Sequence, residues 1–366
     1  MTSLIDEAEE LGRTLVPIAE AGHRGRVNRE LVRALGSSGM LGRLFAGAGV
    51  TASELCQVRQ GLARVCTEAE TAFAVQGLGG VPIVQNGSTR LVEEWRAALS
   101  SGEAVAAFAL TEPGAGSDAA ALSLQAVPDG DGYRLTGEKT YISNAPDADI
   151  ATVFTRTTEG GGARGVTAFA VPIATAGVSG ESIEMLSPHA LGTLTFDGAF
   201  VPGANMLGKV DQGFEVAMRT LDLFRPSVGA FALGMAEAAL AIAVDHASKR
   251  EAFGTPISRF QGVSHQLADV KVAIEATRHL VYDAAAAYDS GDTNALTGKA
   301  AMAKLHGTET AQRAVDIAIQ VVGARGLEAD STLSHLYTDV RATRIYEGTS
   351  EIQRNIISRE LFGGRL

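Results

Sequence analysis

Two short segments hold most of the groups whose types and spacing could do chemistry. The first is Ala109-Leu110-Thr111-Glu112-Pro113-Gly114-Ala115-Gly116-Ser117-Asp118. Small residues, hydroxyls and free backbone donors packed this closely can approach a flat polar ligand or a phosphate. The same composition suits a loop that crosses between domains. The second segment is Ile345-Tyr346-Glu347-Gly348-Thr349-Ser350-Glu351-Ile352-Gln353-Arg354. Glu347 stands before a glycine in apolar company, where desolvation raises a carboxyl group toward the pKa of a useful base. Against that, Thr349 or Ser350 suits the N-cap of a following helix, with Glu347 a mere part of the turn. The residues alone leave both segments open.

Other chemistry is thinner. The chain holds one GxGxxG, Gly160-Gly161-Gly162-Ala163-Arg164-Gly165, but a strand pattern follows it where a dinucleotide-binding fingerprint needs a helix. A hairpin loop is the better reading. No Walker lysine and no GxSxG elbow occurs, and the seven histidines (His23, His189, His246, His265, His279, His306, His335) lack metal-ligand spacing. Cys56 and Cys66, the only cysteines, fall in a helical-looking stretch and form no CxxC, so a reducing, cytoplasmic setting is expected. The acidic start, Met1 to Glu7, lacks the basic-then-apolar order of a signal peptide. The apolar stretch Val228–Val244 is interrupted by Glu237, so no membrane partner is expected. With 31 basic and 42 acidic side chains the net charge is −11, which disfavours nucleic acid as a partner.

The elements that must position the two segments follow from patterning. Residues 1–107 read as helical, with Leu31, Leu35 and Gly39 on one face and Leu55, Val58 and Leu62 on another. Residues 108–210 turn to short β-rich runs, among them 151–155, 166–171 and 194–196, with Asp129-Gly130-Asp131-Gly132 as a turn. From 211 to 366 the helical period returns in long segments, about 214–250, 260–290, 295–323 and 350–362, broken at Gly254-Thr255-Pro256 and Gly291-Asp292. Long amphipathic helices with short turns predict an antiparallel bundle.

Taken together and in this order, the two segments resemble the acyl-CoA dehydrogenase family, and the resemblance runs over essentially the whole chain. It implies an α+β fold with an N-terminal helical domain, a central β-barrel domain and a C-terminal four-helix bundle. It also implies FAD as cofactor. Leu110, Thr111, Gly116 and Ser117 match positions around the flavin ring and phosphates. Tyr141 and Ser143 fall at a Trp-x-Thr that packs on the isoalloxazine, the tyrosine keeping an aromatic wall and the serine a hydroxyl. Arg250, Phe253 and Gln261 resemble residues that reach the FAD of a neighbouring subunit, as do Gln320, Gly323 and Gly326. Thr349 and Glu351, beside the catalytic turn, complete the cofactor set. A homodimer or homotetramer is therefore implied, with an electron-transferring flavoprotein as electron acceptor. Glu347 matches the family's catalytic base, which takes the α-proton while the β-hydride leaves to flavin. Its backbone N–H and a flavin hydroxyl would polarise the thioester carbonyl. Arg225 resembles an arginine adjacent to that base, and Asp222 a residue near the pantetheine arm.

Some wording departs from the family. Ala324 stands where Gly or Ser is usual, and His335 where Lys or Arg is usual. The loop Phe45-Ala46-Gly47-Ala48-Gly49 is short, and Leu186–Thr193 is reworded. These features look most like the acyl-ACP dehydrogenases that make hydroxymalonyl- or methoxymalonyl-ACP polyketide extender units, so a short hydroxyacyl-ACP is the expected substrate. The alternative is a short-chain acyl-CoA dehydrogenase of fatty-acid or amino-acid breakdown. An acyl-CoA oxidase and a nucleic-acid-binding flavoprotein of the same fold are the other readings, and Glu347 and the net charge speak against the last.

Overall fold

A computed structural model of the chain describes residues 3–47, 49–292 and 296–363; Ala48 of the shortened loop lies outside them. Six helices come first: α1 (Leu4–Glu20), α2 (Arg29–Ser37), α3 (Met40–Leu44), α4 (Ala52–Ala63), α5 (Thr67–Asn86) and α6 (Thr89–Ser101). Strands follow: β1 (Ala106–Ala109), β2 (Gln125–Asp129), β3 (Gly132–Ser143), β4 (Ile150–Arg156), β5 (Val166–Pro172), β6 (Val178–Ser179), β7 (Leu191–Pro202) and β8 (Met206–Leu207). The C-terminal half holds α7 (Gly213–Lys249), a small hairpin of β9 (Glu251–Ala252) and β10 (Thr255–Pro256), α8 (Gln261–Asp289), α9 (Leu296–Val322), α10 (Thr332–Thr343) and α11 (Ser350–Gly363). The residues form two compact units. One comprises the chain to Thr14, Thr51–Glu70 and Asp222 onward; the other comprises Leu15–Val50 and Thr71–Leu221.

Local chemistry explains the element ends. Asn28 caps α2, accepting from the Leu31 N–H, and Leu31, Val32 and Leu35 form its buried face. The helix stops at Ser37 and Gly39 adopts φ 79°, so Gly39 does not share that face as the spacing suggested. Thr51 and Glu54 close a capping box on α4, whose Leu55, Val58 and Leu62 are buried as expected. Cys56 lies on α4, whereas Cys66 belongs to the connection after it; both are buried free thiols.

In the second unit the sheet runs β6-β7-β3-β2-β4-β5-β8, with β1 parallel to β4. Gly130, at φ 60°, turns β2 into β3. The Gly160–Gly165 loop joins the antiparallel strands β4 and β5, the hairpin that the sequence favoured. Phe108 and Phe154 pack at 4.9 Å, and Tyr133 and Phe169 at 5.1 Å. β1 is fixed by Gln76, whose Nε2 donates to Leu99 O (3.0 Å) and Ala104 O (2.7 Å) while its Oε1 accepts from the Ala106 N–H at 3.0 Å.

In the first unit, α7 contributes Phe231, Leu233, Met235 and Ala239 to a core shared with Val270 and Ile274 of α8, Ala311 and Val315 of α9, and Leu336 and Val340 of α10. α7 is long and apolar enough to cross a membrane, but 67% of its most apolar window is buried within the protein, as in a core helix. Glycines let it come close to α9: a Cβ on Gly229 would lie 2.8 Å from Ala303 O, and one on Gly307 only 3.0 Å from the Gly229 Cα. α10 was not anticipated, because its polar residues dilute a short apolar stripe.

Candidate active site

Glu347 occupies the turn between α10 and α11. Its backbone is left-handed (φ 53°) and Gly348 follows at φ 93°. A non-glycine residue in that region costs roughly 1–3 kcal/mol and persists where its surroundings overdetermine it. Here side chains from three helices hold the turn's carbonyls. Arg225 Nε of α7 donates to Glu347 O at 3.4 Å, and Lys304 Nζ of α9 donates to Gly348 O at 2.8 Å. Gln353 Nε2 of α11 reaches both, at 3.3 and 2.9 Å. Thr349 Oγ1 accepts from the Ile352 N–H at 3.3 Å, while Ser350 Oγ donates to Glu309 at 2.7 Å. The helix cap and an available carboxylate therefore coexist in one turn.

The Glu347 side chain is half-buried, and its Oε2 is shut from solvent with no hydrogen-bond partner among the described residues. Loss of hydration pushes its pKa up, and the positive charges of Arg59, Arg225 and Lys304 pull it back. Burial lowers Lys304 to about 8, with Glu347 opposing. Burial also lowers Arg225 and raises Asp222, whose Oδ1 lies 3.4 Å from Arg225 Nη1. Arg59, 2% exposed, is ion-paired with the fully buried Glu70, and its Nη1 donates to Ser227 Oγ at 2.7 Å. A carboxylate with one buried oxygen lacking a hydrogen-bond partner among the described residues, and within the field of three cations, can take a proton from a weak carbon acid: desolvation makes it basic, and the cations offset part of the cost of its charged form.

The first predicted segment lies in the other unit and is built on a buried ion pair. Lys139 Nζ of β3 reaches Glu112 Oε1 at 2.7 Å and Leu110 O at 3.0 Å. Glu112 also accepts from the Ser123 and Leu124 backbone N–H groups, at 2.6 and 2.9 Å. The Lys139 charge holds Glu112 below the usual carboxylate range, and burial lowers Lys139 to about 8. The Thr140 N–H donates to Thr111 O at 3.0 Å. Clamped this way, the loop leaves Leu110 buried, Thr111 half-buried, and Gly116 and Ser117 exposed. A Cβ added to Gly114 or Gly116 would meet nothing within 4 Å. Two residues past Lys139, a β-bulge turns Tyr141 to φ 54° and leaves it 58% exposed, with Ser143 half-buried beyond it. Open backbone beside an outward-turned aromatic ring suits a flat ligand carrying phosphates.

The remaining predicted residues are on the first unit, and apart from Glu351, in the first turn of α11, the structure does not join them to Glu347. Arg250, Gln261, Gln320, Gly323 and Glu351 are exposed, and Gly326 is buried. Phe253, at φ 52°, is 96% exposed and meets Phe260 edge-on at 6.1 Å. A groove of about 670 Å³ runs beside Arg250, lined by Ala241, Ile242, Asp245, His246, Lys249, Val322 and Arg325.

Comparison with known proteins decides the lineage. The sequence pattern of the acyl-CoA dehydrogenase N-terminal domain matches residues 3–103, that of the middle domain 107–199, and that of the C-terminal domain 211–362. The chain belongs to the acyl-CoA dehydrogenase family. Among its relatives in this family, the mitochondrial short-chain specific acyl-CoA dehydrogenase of Sus scrofa is 36% identical over 360 residues, covering 95% of this chain and 86% of the relative. Butyryl-CoA dehydrogenase from Megasphaera elsdenii superimposes with a TM-score of 0.91 at 33% identity, covering 99% of both chains. PigA, solved with FAD and proline, superimposes with a TM-score of 0.90 at 25% identity, covering 98% of this chain and 96% of PigA.

Sequence reasoning passed over Lys304, Gln353, the Arg59–Glu70 pair and the Lys139–Glu112 pair. One signal was available for Lys304: it is the lone charge on the stripe Ala300, Ala301, Ala303, Gly307, Thr308, Ala311 of α9, every member of which is buried. A charge on such a stripe needs a partner.

Proposed function

We propose that the chain is an FAD-dependent short-chain acyl-CoA dehydrogenase with Glu347 as its catalytic base. The observation that carries this is the Glu347 Oε2, buried and without a hydrogen-bond partner among the described residues, within the field of Arg59, Arg225 and Lys304. When bound, FAD supplies the acceptor for the hydride that leaves the substrate's β-carbon. The exposed Gly116 and Ser117, the hydroxyl of Thr111 and the outward ring of Tyr141 fit such a group, and are the residues that would hold it. Glu347 takes the α-proton onto its carboxylate, leaving the electron pair of that C–H bond to form the new double bond. Arg225 and Gln353, bonded to the Glu347 carbonyl, fix the turn while the carboxyl group gains its proton. No backbone group among the described residues accepts from the Glu347 N–H, which leaves it able to polarise the thioester carbonyl.

The relatives are named for coenzyme A thioesters, which favours a short acyl-CoA over the hydroxyacyl-ACP that the altered loops suggested. Anaerobic mixing of the yellow protein with butyryl-CoA should bleach the flavin, whereas a hydroxyacyl carrier protein should leave it oxidised. Bleaching by the carrier protein alone would overturn the choice of carrier. Glu347→Gln should retain fold and flavin and lose roughly 10²–10⁴-fold in turnover, the usual worth of a positioned base. Near-normal rates in that variant would remove the base assignment.

A further inference from the structure

We infer that Lys304 is a positioning residue of the active turn: from α9 it anchors the Gly348 carbonyl and brings a positive charge to the turn that carries Glu347. The inference rests on Glu347 being the base, as proposed above.

Lys304 is fully buried, on a helix face otherwise made of alanine, glycine, threonine and one valine. An ammonium group is costly to bury, so a structural role alone would be met better by an apolar residue of similar length. The Lys304 Nζ spends a hydrogen bond of 2.8 Å on Gly348 O, next in the chain to the acid. That carbonyl belongs to a backbone with two consecutive left-handed residues, which the chain does not hold unaided. Gln353 also donates to Gly348 O, at 2.9 Å, but it is neutral and sits on the helix that the turn itself starts. Lys304 is therefore, with Arg225 of α7 at the Glu347 carbonyl, a charged tie that fixes the turn to a separate element, and its bond to Gly348 O is the shorter of the two.

The charged groups around this pair are few. Glu347, Glu309 and Glu351 stabilise the Lys304 ammonium, and Arg225 opposes it. Around Glu347, the cations Arg59, Arg225 and Lys304 act together against desolvation. Arg59 is already neutralised by Glu70 and Arg225 lies beside Asp222, so Lys304 is the cation of the three that has no ion pair among the described residues. Removing it should raise the base's pKa, which moves the acid limb of turnover to higher pH.

The test is the pH dependence of kcat in the flavin-loaded enzyme with a short acyl-CoA. Lys304→Met, similar in length but uncharged, should lower kcat at neutral pH roughly tenfold or more and shift the acid limb upward by about one unit. KM and flavin content should stay near those of the wild type. Lys304→Arg, which keeps the charge, should leave the acid limb in place. If Lys304→Met does not fold, Lys304→Gln keeps a donor for Gly348 O without the charge and should show the same shift. An acid limb unmoved in a folded, uncharged variant overturns the inference, as does a loss confined to KM. Glu347→Gln, run in parallel, separates two failures. Full activity there removes the base itself, whereas an inactive Glu347→Gln beside an unmoved Lys304 variant removes only the role of Lys304.

Discussion

At the scale of single residues, backbone conformation marks this protein's chemistry more sharply than composition does. Among the described residues five non-glycines have positive φ: Tyr141, Asn144, Asp211, Phe253 and Glu347. Three of these are positions that the family resemblance singled out, and Tyr and Phe are poorly suited to that region. Such strain needs support nearby, and two residues before Tyr141 in β3 Lys139 is anchored to Glu112, the pair 0% and 4% exposed. Lys139→Met should cost roughly 3–5 kcal/mol in urea unfolding by leaving a buried carboxylate without its cation. It should also loosen flavin binding, and adding Glu112→Gln should restore part of the stability. The exposed members of the site were legible in sequence because they form continuous motifs. Lys139, Lys304 and Arg59 were not, because each acts on a partner far away in the chain, and such pairings have no local signature; Gln353 was not, because its donation back to the Glu347 and Gly348 carbonyls depends on the left-handed turn that only the structure shows.

At the scale of elements, the long helices were readable almost to the residue. The segment expected over 214–250 is α7, Gly213–Lys249, and that expected over 260–290 is α8, Gln261–Asp289. Periodicity over so many turns is hard to miss. α10 escaped because its twelve residues place only Leu333, Leu336 and Val340 inward as large apolar groups. That helix is tied to the start of α5 by His335, whose Nε2 lies 3.0 Å from both Glu68 Oε1 and Thr67 Oγ1 and 3.5 Å from Asp339 Oδ2. The Glu68 hydrogen bond raises His335 to about 9 and holds Glu68 below the carboxylate range. A histidine raised on folding stabilises fully below its unfolded pKa, about 6.5, and that gain is lost as pH rises through about 9. Lys139 and Lys304, both lowered to about 8, titrate nearby with the opposite sign. The readout is therefore a difference. The thermal midpoint of wild type minus that of His335→Gln should shrink steadily from pH 6.5 to 9, and a constant gap would mean that the pair carries no charge-dependent stability.

At the scale of the whole molecule, the order of helical, β-rich and helical regions was legible, because each regime has its own period. The grouping of residues up to Thr14 and Thr51–Glu70 with Asp222 onward was not, since it depends on contacts between distant stretches. Assembly belongs to this scale too. A Phe253 ring 96% exposed on a left-handed backbone, with Arg250 beside it, is the kind of surface a second copy's cofactor would cover. Arg250→Ala should weaken flavin retention and subunit association together, measured as flavin lost on gel filtration and as molar mass by light scattering. Loss of neither would end the cross-subunit reading. The glycine seam between α7 and α9 carries a different lesson. Arg225 and Lys304 approach the same turn from these two helices, so a methyl group added at Gly229 or Gly307 would wedge apart the mounts of both cations. In a library selected for turnover, those two glycines should tolerate change as poorly as Glu347 does, although neither carries a side chain.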